Sequence, residues 1–361
     1  MAATSKTEQI NALLTTTSKN YYKASLVQDN IFQSNPLYAC LHGKEDGIRK
    51  EDVGGDEIKI NVMYEDNGNF GWYRDYDLLD DTPQDGMTAG YARWSQASVA
   101  NVISGIQKYQ NSGPSKLVSL WKEKYKQSMY TAEEESNKSF LDVANITVAT
   151  ETTASSGKAI NGLPLLIQVD PTAAGTLHGI NQANEAWWRN RTVDFGATDT
   201  TQALYAKMLS LYNDCGKAGG GNPDIGVTDQ ITYENYVQHL DKKVRYTTQD
   251  TTGSKVGPGF EGVMFLGAKL FWDVYMPDMA NATNGADGTT LTEGSLFWIN
   301  SKFMSLCVGK GFDFAPQGVK TAERQDAVRE YLLFYGQLVT NNRRKHGVLH
   351  GIEPVLTITA P

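Results

Sequence analysis

From Glu57 the chain alternates strictly, with Ile58, Ile60, Val62 and Tyr64 pointing one way and Lys59, Asn61 and Met63 lying between them. A period of two predicts a strand with one buried face. The stretch Asp66–Gly71 is turn-rich. Phe70, Trp72, Tyr73 and Tyr76 then stand among aspartates before strand-like character resumes at about Tyr91–Ile103. Residues Glu57–Tyr109 thus read as one long two-stranded ribbon, and such a ribbon is marginal in water unless it lies against something. After Ser112-Gly113-Pro114 the period changes. Leu117, Leu120, Trp121, Tyr125, Ser128, Met129 and Ala132 keep helical spacing, with Lys122, Glu123, Lys126 and Glu133 on the other side, which predicts an amphipathic helix from Ser115 to about Phe140.

The flanks are less regular. Residues 1–50 are polar, with short apolar clusters such as Pro36–Leu41, and read as an extended arm. Ala144–Ser156 is rich in Thr, Ala and Ser, and a short apolar stretch, Ile160–Ile167, follows. A helix is expected over Thr201–Cys215, stopped by Gly216 and the Gly219–Gly221 run. Pro223–Thr228 reads as a buried strand, with Thr228 or Asp229 capping a helix Ile231–Leu240. Further strands are expected at Val244–Thr247, Val263–Phe265, Lys269–Val274, Ser295–Asn300 and Met304–Val308, with an exposed loop at Pro277–Thr292. Gln325–Leu338 is apolar with either period, and a basic cluster, Arg343-Arg344-Lys345-His346, comes after it.

Composition adds limits. The 361 residues are 40% hydrophobic and 20% charged, which suits a protein with a real core. A formal charge of −8 argues against a broad basic face for nucleic acid. Cys40, Cys215 and Cys307 are far apart and odd in number, so neither a disulfide framework nor a structural zinc site is suggested. No apolar run is long enough to cross a membrane, and Met1–Ile10 lacks signal-peptide character.

Catalytic patterns are nearly missing. Gly157-Lys158 and Gly309-Lys310 are followed by Ala159 and Gly311, so neither supplies the hydroxyl of a phosphate-binding loop. His346 and His350 are four apart, but Gly347 between them argues against a helical metal pair, and they read as solvated surface. The spacing of Asp75, Asp77, Asp80, Asp81 and Asp85 does not match a calcium loop; beside Trp72, Tyr73 and Tyr76 it suggests a contact surface. Trp187-Trp188 reads as packing or interface. No enzyme, cofactor or metal is expected.

The order of these elements resembles the tailed-bacteriophage major capsid protein of the Hong Kong 97 type. The resemblance rests on the polar arm, long hairpin and long charged helix, then Asn161–Pro164, Trp187–Asn190, Pro223–Tyr236, Phe271–Asp273 with Pro277, and Phe297–Asn300. It implies an α+β fold with five parts. These are an N-terminal arm (1–50), an extended E-loop hairpin (51–110), a peripheral domain with a spine helix (111–183), an axial domain (184–304) and a return to the peripheral domain (305–361). It further implies self-assembly into pentamers and hexamers of an icosahedral virion shell in the bacterial host cytoplasm. The shell would enclose double-stranded DNA without sequence-specific contacts, with separate scaffolding, portal and decoration proteins as further partners and no membrane. No charged helical scaffolding segment is visible at the start, so a separate scaffolding protein or none is expected. Lys59, near the base of the hairpin, is the only Lys between Glu57 and Tyr91, so crosslinking through the loop is not expected. Two other functions stay open: a non-viral compartment shell of the same fold, or a soluble ligand-binding or carbohydrate-active protein with stacking Trp72, Trp187 and Trp188.

The charge is uneven. Glu65–Asp85 holds seven acids against Arg74 alone, whereas Lys320–His350 has six basic residues against three acidic. The expected subunit interface is therefore an acidic, aromatic ribbon carrying Phe70, Trp72, Tyr73, Arg74, Asp75, Asp77, Asp80 and Asp81. It would dock on basic surface of a neighbour that includes Arg343, Arg344 and Lys345.

Overall fold

The computed structural model describes residues 35–43, 48–52, 54–112, 120–141, 159–173, 175–196, 201–217, 219–241, 263–276, 294–321 and 325–352. The expectations for the chain before Asn35, for Ala144–Ser156, for Val244–Thr247 and for the loop Pro277–Thr292 lie outside them.

Helix α1 (Pro36–His42) starts with proline, whose missing N–H is no loss in a first helical turn. It buries Leu37 and Leu41 completely, so this part of the expected arm is core. Strand β1 (Arg49–Asp52) follows, then β2 (Glu57–Met63) and β3 (Met87–Arg93), β4 (Ser95–Ser104), helix α2 (Gly105–Gln110), the long helix α3 (Leu120–Leu141) and the single turn α4 (Leu163–Leu166). Two-residue strands β5 (Thr176–Leu177) and β6 (Ile180–Asn181) form a tight hairpin. Next come β7 (Arg191–Asp194), α5 (Thr201–Gly216), β8 (Ile225–Thr228), α6 (Gln230–Asp241), β9 (Val263–Phe265), β10 (Ala268–Trp272), β11 (Gly294–Ile299) and β12 (Met304–Gly309). Short β13 (Ala315–Pro316) and β14 (Lys320–Thr321), the long β15 (Ala327–Thr340) and β16 (Gly347–Ile352) complete the order. No described helix is long and apolar enough to cross a membrane.

The apolar stretch Gln325–Leu338, ambiguous in sequence, is strand, and β15 organises the first sheet. One of its edges pairs with β4 over ten residues, Ala327 with Ser104 through Gly336 with Ser95. Its other edge takes β14, β13 and β12 in turn, and β1 adds in parallel to β12. This corrects the ribbon expected over Glu57–Tyr109. The hairpin closes at Arg93, where β2 and β3 pair from Glu57–Arg93 to Met63–Met87. Ser95–Ser104 belongs to the first sheet, and residues 105–110 are helical. A capping box, Ser104 with Gln107, starts that helix.

The second sheet runs β7-β16-β11-β8-β10-β9. Its central strands are buried on both faces, so β11 reads Ser-Leu-Phe-Trp-Ile without polar alternation. Leu296 and Trp298 turn to Leu204, Met208, Leu211 and Tyr212 of α5 and Tyr236 of α6. Phe297 and Ile299 turn the other way, into a core shared with α1, α3, α4 and Leu306, Leu332 and Leu338 of the first sheet. Asp229 caps α6, accepting from Thr232 N at 3.1 Å.

One buried polar tie joins three elements across this core. Asn137 of α3 accepts from Tyr38 N at 2.9 Å and donates to both carboxylate oxygens of Asp273, at 2.9 and 3.1 Å. Burial pushes the Asp273 carboxyl up, and the bonds from Asn137 and Tyr275 N oppose it.

Candidate assembly surface

The β2–β3 hairpin has a seated root and an open tip. At the root Ile58, Ile60 and Ala92 pack on Cys307 and Val339 of the first sheet. Tyr91 N donates to His178 O at 3.0 Å. Here the β5–β6 turn presses so close that a Cβ on Gly90 would lie 2.9 Å from that same oxygen, so glycine is required. The Tyr64 ring stacks on Trp187 at 5.3 Å. Part of the support expected from a neighbour thus comes from the chain's own body.

Between Tyr64 and Gly86 there is no strand ladder, yet the loop is tied internally. Asn69 Nδ2 donates to Thr82 O at 2.6 Å, and Gln84 Nε2 to Asn69 Oδ1 at 3.0 Å. Arg74 N donates to Asp77 Oδ2 at 2.9 Å, and Asp77 N to Arg74 O. Thr82 donates through both its hydroxyl and its N–H to Asp80 Oδ1, and these bonds hold the Asp80 carboxyl below the usual carboxylate range. Hydrogen bonds can shape a loop that has no core, and here the apolar side chains face water. Trp72 is 93% exposed, Leu78 99% and Tyr76 101%, with Phe70, Tyr73 and Leu79 also exposed. Leu78 and Leu79 join the aromatic residues that the sequence pattern marks. The signal was present, a Leu-Leu pair inside an aspartate run with turn residues on both sides.

The structure corrects the basic half of the expected interface. Arg343 and Lys345 are 0% exposed and cannot receive a neighbour's acids. Arg343 donates to Leu166 O (2.8 Å), Gln182 Oε1 (2.8 Å) and Asn190 Oδ1 (3.1 Å). Gln182 in turn donates to Gln168 Oε1 at 2.7 Å, and Asn190 Nδ2 to Gln168 O at 2.7 Å, so one guanidinium organises a buried amide network. Lys345 Nζ donates to Cys215 O and Gly216 O at 3.2 and 3.3 Å. It thereby places a cation on the carbonyl end of α5, and burial lowers its pKa. Only Arg344 stays half-exposed. It lines a cleft of about 300 Å³ with Tyr64, Trp187, Asn341 and Asn342.

His346 is likewise buried, where the sequence suggested surface; His350 is half-buried. Asn300 N donates to His346 Nδ1 at 3.2 Å, and Nε2 meets the Thr340 hydroxyl at 3.1 Å, which itself donates to Phe303 O. The ring is therefore neutral, with its proton on Nε2. Burial, helped by the Arg343 charge, pushes its pKa down to about 3. An unfolded histidine titrates near ~6.5, so the unfolded chain binds the proton first. This group's contribution is complete above that value and is lost as pH falls toward about 3, on the order of 5 kcal/mol in all. His346→Gln is expected to lower stability at neutral pH but to flatten its dependence between about pH 6.5 and 4, as read by urea unfolding at stepped pH. Parallel curves for the two proteins would contradict this.

Among the described residues no three His, Cys, Asp or Glu side chains converge on a metal site. No family model matches the chain, and no curated protein matches it. Solved structures match it in fold. The capsid asymmetric unit of cyanophage A-1(L) aligns with a TM-score of 0.61 over 92% of this chain and 97% of its own, at 14% identity. The holo-SrpI encapsulin complex of Synechococcus elongatus aligns at 0.58 over 99% of both chains, at 11% identity. The capsid of a native GTA particle aligns at 0.58 over 92% and 95%, at 12% identity. Two sheets around a shared core, a long helix and a projecting hairpin thus make up a fold shared with these capsid and encapsulin subunits. It is the Hong Kong 97 type capsid fold, α+β in class.

Proposed function

We propose that the chain is the major capsid protein of a tailed bacteriophage. Many copies form pentamers and hexamers of an icosahedral virion shell, assembled in the host cytoplasm around packaged double-stranded DNA, and no reaction is catalysed. The carrying observation is the hairpin tip, where six large apolar side chains are exposed together on a loop already shaped by its own hydrogen bonds. A patch of that kind marks an interaction surface, and a shell supplies the covering chain many times over. In this reading the hairpin tip is the E-loop and α3 is the spine helix. The first sheet belongs to the peripheral domain, and the second sheet with α5 and α6 to the axial domain.

The purified protein is expected to sediment as closed particles visible by negative-stain electron microscopy. Material that stays monomeric across salt, pH and concentration overturns the proposal. The alignment with an encapsulin over the full length of both chains supports a second reading, a non-viral compartment shell. Particle contents separate the two: nuclease-protected DNA supports the virion, and enclosed protein cargo the compartment.

A further inference from the structure

Three Asn-Gly pairs stand in the sequence, Asn67-Gly68, Asn161-Gly162 and Asn284-Gly285, and the last lies outside the described residues. Asparagine is a thermolabile side chain, and a following glycine has no Cβ to keep its backbone nitrogen from the carboxamide. The fold separates the other two pairs. Asn161 is 1% exposed and donates from its backbone N to Gln337 Oε1 at 2.7 Å and from Nδ2 to Leu338 O at 3.3 Å. Gly162 is buried too, and its carbonyl accepts from Leu165 N and Leu166 N at the start of α4. The Asn161 carboxamide cannot turn onto Gly162 without giving up its bond to Leu338 O in the core. Asn67 and Gly68 are both exposed, just past β2, and nothing lies within 4 Å of where a Gly68 Cβ would be. Asn67 Oδ1 accepts from Asn69 N at 3.0 Å. Asn69 is held in turn from across the loop, since its Nδ2 donates to Thr82 O and its Oδ1 accepts from Gln84 Nε2. The exposed carboxamide oxygen therefore already meets a fixed donor of the kind that stabilises a developing oxyanion.

We propose that Asn67 is a self-modification site, deamidating in the folded protein with help from the Asn69 N–H. Gly68 N gives its proton to solvent and attacks Asn67 Cγ, and the negative charge that forms on Oδ1 is met by Asn69 N–H. Glu65 and Asp66 precede the pair, and their charge opposes that anion, so the assistance comes from the Asn69 donor. Collapse breaks the Cγ–Nδ2 bond, releases ammonia and closes a cyclic succinimide. Water then opens the ring at either carbonyl, to aspartate or, with the main chain rerouted through Cγ, to isoaspartate. No reactant besides water is consumed. Either product adds a carboxylate to a loop that is already acidic, and isoaspartate also lengthens the backbone between β2 and the tie at Asn69. The exposed loop thus changes charge and shape in one irreversible step, while the buried pair at Asn161 keeps the core as it was made.

The test follows the full chain at mildly alkaline pH, folded and in guanidinium, by weighing its proteolytic peptides over time. Loss of ammonia and gain of water raise the mass of the Asn67 peptide, and an isoaspartate-specific methyltransferase labels the rerouted product. The Asn67 peptide is expected to convert at least as fast in the folded protein as in guanidinium, and the Asn161 peptide in guanidinium alone. Gly68→Val is expected to stop the reaction at Asn67, because a branched side chain holds the nitrogen away from the carboxamide. Asn69→Pro removes the N–H and is expected to slow conversion by about tenfold, less than the loss of an enclosed oxyanion donor. Gln84→Ala loosens Asn69 without removing its N–H and is expected to slow it by a smaller factor, with circular dichroism showing each variant folded. No mass change at Asn67 in the folded protein overturns the site. Conversion that is slower folded than in guanidinium, or that neither Asn69→Pro nor Gln84→Ala slows, overturns the part given to Asn69. Conversion of Asn161 in the folded protein at the rate of Asn67 overturns the selection by the fold.

Discussion

Arg343→Ala is expected to cost about 3–5 kcal/mol of folding stability, the sum of buried acceptors left without their donor and the cavity of a large side chain. The side chain is fully buried and donates to Leu166 O, Gln182 Oε1 and Asn190 Oδ1. Its removal takes the guanidinium from Leu166 O and Gln182 Oε1, leaves Asn190 Oδ1 with only its bond from Gln168 N, and opens a cavity. Arg343→Lys should recover little, because an ammonium cannot span acceptors placed around a planar fork. Urea unfolding of the subunit measures both, and a loss under about 1 kcal/mol for alanine, typical of a surface position, would show that the network does not hold the fold.

The second large effect is on association, with folding spared. Trp72, Tyr76 and Leu78 meet water in the subunit, so replacing all three with serine should change unfolding by no more than about 0.5 kcal/mol per site. Their combined area is on the order of 500 Å², worth on the order of 10 kcal/mol per loop if covered by a neighbour, before the costs of association. The triple variant should therefore remain folded and fail to form particles at concentrations where the wild type assembles. Normal particles from a folded triple variant would remove the loop from the interface.

The two expectations differ in how readable their sites were. The hairpin strand declared itself because one face is buried and the other is not, giving Ile58, Ile60 and Val62 a clean period. Helix α3 did so through Leu120, Ser128 and Ala132. Alternation reports a buried face without saying what buries it, so β4 reads as the return arm of the ribbon although it pairs with β15. Its partner β15 lies more than two hundred residues later. The basic cluster failed for a related reason. Four consecutive cationic or titratable residues read as solvated unless their acceptors are known, and those of Arg343 are 153 to 177 positions away. The acidic loop was legible because aromatic residues among aspartates, with turn residues throughout, have no local way to become buried.

That same pairing sets an order on synthesis. Strand β4 ends at Ser104, and the last residue of the strand it pairs with is Thr340; β1, earlier still, waits for β12. At about 5–20 residues per second, the ribosome needs on the order of 10–50 s to make the intervening chain. Through that interval β4 has no partner strand, and an unpaired strand edge is prone to pair with another nascent chain. The first sheet cannot close until β15 has been made, so the subunit's folded form arrives late in synthesis and all at once.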